Sequence, residues 1–275
     1  MTAAREALDA IGKLPDTEID IADAALQAAR LDAPDADWHA ARAVLSALAR
    51  DAVDQAAAIP PEDLAGRAAK LASLLSGTYD FQGDKDTYDD LANANLIHVI
   101  ERRRGLPVAL GILWLHAANA AGWNAHGVDF PGHFLVALAG KGTQLVLDVF
   151  AGGVPLGAPH LRALIKQVEG NKAELRPGLL APMSTRAVLL RLQNNIRTRR
   201  LQAGDIAGAL VCAEDMLRIA PDEAPLWRDA ALMNQRLDRV SAALRCFNRF
   251  LALVPEGEAA ARVRGQVDEL RSRLN

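Results

Sequence analysis

His133 and Asp148 are the two side chains of this sequence best spaced for acid–base chemistry. They sit toward the outer ends of two short apolar runs, 133–139 and 144–149, joined by Gly140-Lys141-Gly142-Thr143, with His133 first in its run and Asp148 next to last in its own. Runs of this length around a Gly-containing loop predict an antiparallel hairpin. In the even register centred on Lys141-Gly142, Ala139 faces Gln144, Ala137 faces Val146 and Leu135 faces Asp148. One face is then wholly apolar: Phe134, Val136, Leu138, Leu145, Leu147 and Val149. The other carries His133, Leu135, Ala137, Gln144, Val146 and Asp148, with His133 and Asp148 as diagonal neighbours about 7–8 Å apart at the backbone. A carboxylate beside an imidazole fixes its tautomer and raises its basicity, which is the orienting half of a nucleophile–His–Asp triad. The same spacing suits an ordinary polar pair that ties two strands together.

The other groupings point away from chemistry. His126, Asp129 and His133, with Asp148, have the types of metal ligands, but a strand running straight from 126 to 133 turns them to different faces, and no metal is expected. Asp84 and Asp86 open like a calcium loop. Counted from Asp84, the sixth and twelfth places hold Asp89 and Asn95, where such a loop needs Gly and Glu. The segment 77–90 therefore reads as an acidic, solvated turn. His116 falls within an apolar helix and reads as a hydrogen-bonded core residue. The clusters Arg102–Arg104 and Arg197, Arg199 and Arg200 read as solvated faces or helix C-terminal charge. Two cysteines, Cys212 and Cys246, are too few for a disulfide scaffold or a Cys-based zinc site, and no cofactor is expected.

These residues must be positioned by a chain of 275 residues, a length that suggests two domains. Hydrophobic residues make up 51% and charged residues 24%, enough apolar material for a core. The 31 Lys and Arg against 34 Asp and Glu give a net charge of −3, which removes the electrostatic case for a nucleic-acid partner. Aromatics at 4% and abundant alanine favour helix over an all-β sandwich. The first residues contain acids and no apolar stretch of the secretory kind. Residues 105–128 lack charge but are broken by Gly, Pro, His and Asn, and the solid apolar part, 106–115, is far short of the ~20 residues a bilayer needs. A cytoplasmic protein with no membrane partner is expected.

Residues 1–76 read as a helical support, with Asp35 and Asp37 as candidate caps for the run through Val44, Leu45 and Leu48. A helix over 93–103 stops at Arg-Gly-Leu-Pro, and Pro107 is well placed to begin the next one, 107–121, which is apolar on every side and should be central. After the hairpin, Leu161, Leu164, Ile165 and Val168 predict a short helix, and 170–182 looks like a linker. Residues 77–170 would thus form a core domain, and 184–275 a separate tail. In the tail Pro221 and Pro255 are 34 residues apart, and the same offset relates Ala209 to Ala243, Leu210 to Leu244, Cys212 to Cys246 and Leu217 to Leu251. That is the tetratricopeptide period. It predicts helices over 184–200, 205–219, 224–236 and 239–253, with Trp227, Ala243 and Phe247 buried between them and a capping helix after Gly257.

Three strings together resemble the SirB (SirB-one) family of bacterial proteins: Glu101 to Leu110 with its Arg-Arg-Gly-Leu-Pro, Gly127 to Val136 with its Pro-Gly-His-Phe-Leu-Val, and Asp148 to Gly153. Tyr79 to Gly83 and Tyr88 to Asn95 are similar to that family's upstream loop, and Asp148-Val149-Phe150 stands where Asp-Pro-Phe is associated with it. The resemblance implies a transglutaminase-like superfamily member: an α+β, mostly helical chain with a papain-like core of central helix and short antiparallel sheet, followed by a helical tetratricopeptide-like tail. It further implies a Cys at the start of the central helix, where the helix dipole favours a thiolate, with His and Asp on the next two strands. Helix 107–121, His133 and Asp148 have that order, so the pair should lie beside the helix N-terminus. Yet Pro107-Val108-Ala109 stands where the Cys should be, and from Tyr88 to Gln144 the only Ser, Thr or Cys is Thr143. The expectation is a degenerate pair, His133 and Asp148, with the nucleophile missing near Ala109. The protein would be a non-catalytic binding or regulatory adaptor that holds a protein or peptide on its tail. The alternative is a hydrolase or acyl-transfer enzyme in which His133 activates water directly.

Overall fold

The computed structural model describes residues 2–60 and 62–272. The chain is mostly helical, with a central helix and a small antiparallel sheet followed by a run of helical hairpins. It divides into two compact units, residues 14–192 and residues 1–13 with 193–275.

The larger unit contains α2 (Ile21–Asp32), α3 (Trp38–Ala56), α4 (Leu64–Ala72), α5 (Leu96–Arg102), α6 (Pro107–Ala120) and α7 (Ala158–Glu169). Aspartates start several of these helices. Asp20, Asp37 and Asp63 each accept hydrogen bonds from backbone N–H groups of the following first turn, a cap that contributes about 1 kcal/mol. Pro107 is the first residue of α6, as its missing N–H allows. Ten of the fourteen residues of α6 are buried, so it is the central helix expected from its unbroken apolarity.

The sheet is wider than the hairpin that was expected. Strands β3 (Ala125–Phe130), β4 (His133–Ala139), β5 (Gln144–Asp148) and β6 (Val154–Leu156) form a four-stranded antiparallel sheet in sequence order. A second, two-stranded parallel pair joins β1 (Gln82–Gly83) to β2 (Arg104–Gly105). β3 lacks a clean alternation, because Gly127 and Asp129 fall among its apolar residues. It is held by β4, to which a two-residue turn, Pro131-Gly132, connects it. Gly132 takes φ +71°, a conformation that favours glycine. The β4–β5 register is the expected one: Ala139 opposite Gln144 and Ala137 opposite Val146.

The stretch after α7 is not a free linker. Pro182 bridges to Val128, the Met183 N–H donates to the Gly127 carbonyl, and Leu179 and Leu180 pack under the sheet. The Asp16 carboxylate accepts the N–H groups of Thr185 and Arg186, capping the start of α8 (Thr185–Gln202).

In the smaller unit, α9 (Ile206–Ile219), α10 (Ala224–Arg236) and α11 (Val240–Leu253) follow the predicted repeat register within two residues, and α12 (Glu258–Ser272) covers the last hairpin. Ala243 and Phe247 are fully buried against Val263, Val267 and Leu270 of α12. Trp227 departs from expectation: it is only half-buried, and its indole Nε1 donates to the Pro221 carbonyl at 2.8 Å. The N-terminal helix α1 (Ala3–Ile11) belongs to this unit and not with the rest of residues 1–76. Arg5 binds Asp215 and Arg218 binds Asp9, both across to α9, and Leu8 is fully buried.

Candidate functional site

His133 opens β4 and faces Phe130 across the tight turn. Asp148 closes β5, one step beyond the Val136–Leu147 pair, which puts it opposite Leu135 and diagonal to His133. The imidazole makes no hydrogen bond or ion pair among the described residues. The His133 carbonyl accepts from Arg191 Nη2 at 3.1 Å. Asp148 Oδ1 is engaged locally: it accepts the N–H groups of Phe150 and Ala151 at 3.0 and 3.1 Å, and the Asp148 carbonyl accepts from Gly153. Such a side-chain-to-backbone arrangement turns the chain sharply after a strand.

Alternation decides which side of the sheet each residue faces. Phe134, on the apolar face, lies against α6, its ring within 2.2 Å of where a Cβ on Gly111 would stand. Leu135, Ala137 and Val146 belong to the opposite face, which packs on Leu161 and Ile165 of α7. His133 and Asp148 share the register of that second face. At that N-terminus Ala109 is fully buried, Val108 is buried, and the Leu106 N–H is taken by the Asn93 carbonyl. His116 holds the other part of α6 in place, with Nε2 3.0 Å from the Leu45 carbonyl.

The acidic segment before α5 is exposed from Lys85 to Asp90, as a solvated turn should be, but one buried carboxylate, Asp84, anchors it. Asp84 is only 7% exposed. Its Oδ1 accepts the N–H groups of Asp86 and Thr87, and its Oδ2 accepts the Thr87 hydroxyl at 2.6 Å and Arg102 Nη2 at 3.3 Å. The Thr87 hydroxyl, followed by the Thr87 N–H, holds the Asp84 carboxyl down at about 2. Arg102 also binds Asp90 at 2.9 Å, and Asn93 Nδ2 donates to the Thr87 carbonyl. Its neighbour Arg103 has φ +59° and lies over the rings of Phe81 and Tyr79. The Tyr79 hydroxyl donates to Asp51, and burial with that hydrogen bond pushes it up to about 12. The arginines read as solvated thus fasten the loop to the core, and Arg197 likewise binds Asp229 at 2.8 Å. The one local signal in the sequence was Asp84 three residues before Thr87, whose hydroxyl and N–H it accepts; Arg102 lies far along the chain.

Of the residues considered for a metal, His126 faces Ala137 across β3–β4, and burial lowers its pKa, while Asp129 pairs with Arg191. Among the described residues no group of three or more His, Cys, Asp or Glu is placed to hold a metal ion. Among the described residues no helix is long and apolar enough to cross a membrane.

A buried helix leading into an antiparallel sheet, followed along the chain by helical hairpins, defines a transglutaminase-like core carrying a tetratricopeptide tail. Residues 39–194 match the family model described as the transglutaminase-like superfamily, and residues 196–268 match that of the tetratricopeptide repeat. A UPF0162 protein of Xylella fastidiosa (strain Temecula1) is 33% identical over 193 residues, 69% of each chain. One from Vibrio cholerae is 28% identical over 198 residues, covering 72% of this chain and 73% of that protein. The chain therefore belongs to the transglutaminase-like superfamily and to the UPF0162 proteins. F-box only protein 21 of Pongo abelii is 33% identical over 77 residues, 28% of this chain and 12% of that protein. A solved structure of menin overlaps 90% of this chain and 69% of its own at 10% identity and a TM-score of 0.41, a likeness that bears on neither fold nor function.

Proposed function

We propose that this chain is a cytoplasmic, non-catalytic transglutaminase-like protein of the SirB kind, an adaptor or regulator that holds a protein or peptide on its repeat tail and takes neither nucleic acid nor membrane as partner. The observation that carries the reading is the start of α6. The superfamily resemblance puts the nucleophile there, and this chain has Pro107-Val108-Ala109, with Ala109 fully buried. His133 and Asp148 are a degenerate pair on this reading. Asp148 shapes the turn after β5 through its bonds to Phe150 and Ala151, and His133 begins the neighbouring strand. Loss of the acylated group leaves only the modest acceleration that binding and oxyanion stabilisation supply.

Stacked helical hairpins give the tail a long surface for a partner. The test is affinity capture from the protein's own cells, with the bound proteins identified by mass spectrometry, using the full chain and residues 14–192 alone. Those bounds follow the compact unit, since residues 179–192 pack within it. The adaptor reading expects partners that the full chain retains and residues 14–192 lose. Equal capture by both would move binding to the core and defeat it.

A further inference from the structure

The smaller unit contains a cleft of about 790 Å³, inside the range of ligand sites, about 300–1,000 Å³. It is lined by α9, α10, α11 and the end of α1, and by no residue of α8. α10, which packs against both α9 and α11, gives it Trp227, Ala230 and Asn234.

Two features of its lining define an occupant. The first is apolar. Trp227 presents a half-buried ring whose only polar atom is already satisfied by the Pro221 carbonyl, and Leu217 adjoins it in the lining. A rigid, half-covered indole with its N–H spent is the kind of surface on which a large apolar side chain gains most.

The second is charge. Among the described residues Lys13 and Arg245 have no ion pair. Arg249 pairs only with Asp222, whose side chain is 80% exposed, an arrangement that contributes little. Arg218 is consumed by Asp9 and Asp215. Glu214 is the lining carboxylate left without a hydrogen bond among the described residues. Three available cations against one anion gather in a chain whose net charge is −3. Arginine binds carboxylates through two parallel N–H···O bonds, so the cleft is complementary to acids.

We propose that this cleft takes an acidic peptide segment, one large apolar side chain of which packs on Trp227 while its carboxylates meet Lys13, Arg245 and Arg249. The proposal rests on the adaptor reading and deepens it, naming the surface and the class of partner.

The test uses the full chain and a set of short peptides in which one Phe or Leu is flanked by Asp and Glu, each matched by the same peptide with Asn and Gln. Binding is followed by calorimetry against wild type, Arg245→Glu and Trp227→Ala. Arg245 is exposed, so its reversal leaves the fold intact, which circular dichroism checks. The proposal expects the acidic peptides to bind and their amide partners to bind about tenfold more weakly. It expects a similar loss in Arg245→Glu and weakening of the acidic set with added salt. Equal binding of acid and amide forms, unchanged binding by Arg245→Glu, or no binding of any acidic peptide would overturn it. Self-association that Arg245→Glu abolishes would give the cleft to a second copy and overturn it as well. If the peptides fail while tail-dependent capture succeeds, the adaptor reading stands and only the cleft assignment falls.

Discussion

Asp84 shows how one carboxylate can fix a loop. It collects two backbone N–H groups, one hydroxyl and one guanidinium within a span of four residues and a neighbouring helix. Replacing it with Ala removes the shared acceptor of those part-buried bonds, which should cost about 1–3 kcal/mol in urea unfolding. The pH dependence has a definite sign. The folded-state carboxyl titrates at about 2, below the ordinary carboxylate range. Its stabilisation is therefore complete above about pH 4 and is lost as pH falls from there toward 2. Asp84→Asn should flatten that part of the acid limb; an unchanged limb would remove Asp84 as its source. The positions of His133 and Asp148 along their strands were legible, because the alternation of apolar residues fixes a register. The role of Asp84 was not, because Arg102 reaches it only once α5 has packed. The face toward α7 was equally hidden: alternation sorts residues into two faces but does not say which face a helix will cover.

Helices were more legible than strands. The repeat helices follow from a 34-residue offset that many residues obey together, and α6 from an apolar run opened by Pro107. β3 and β6 could not be read, since β3 mixes Gly and Asp into its run and β6 is three residues with a central proline. Both exist through pairing with β4 and β5. The contact between α6 and the sheet gives a sharp test of that architecture. A methyl group at position 111 would stand 2.2 Å from the Phe134 ring. Gly111→Ala should therefore destabilise by about 1–3 kcal/mol in thermal or urea unfolding. Adding Phe134→Leu should recover part of the loss, since the two positions share one space. A neutral Gly111→Ala would show that the helix and sheet do not meet there.

At the scale of the molecule, the chain's two ends make one unit. α1 contributes Ala4, Leu8 and Ile11 to its buried residues and two ion pairs to α9. Removing residues 1–11 should cost that unit about 3–5 kcal/mol from the lost apolar burial. Hydrogen exchange should then show protection falling in α9 while α6 keeps its own; the reverse pattern would contradict the division. No reading of local periodicity could place α1 with residues two hundred positions away, because that pairing depends on Asp215 and Arg218 lying on one side of α9.

The central claim, that this transglutaminase-like chain binds without turning over, is tested most directly by amide hydrolysis and amine transfer on a broad peptide set. Wild type and His133→Ala are compared, with the fold of both checked by circular dichroism. The account predicts no turnover above the uncatalysed background in either protein and no covalent acyl-enzyme by mass spectrometry. Turnover in the wild type that vanishes in a folded His133→Ala variant would contradict it and make His133 the base of a water-activating enzyme.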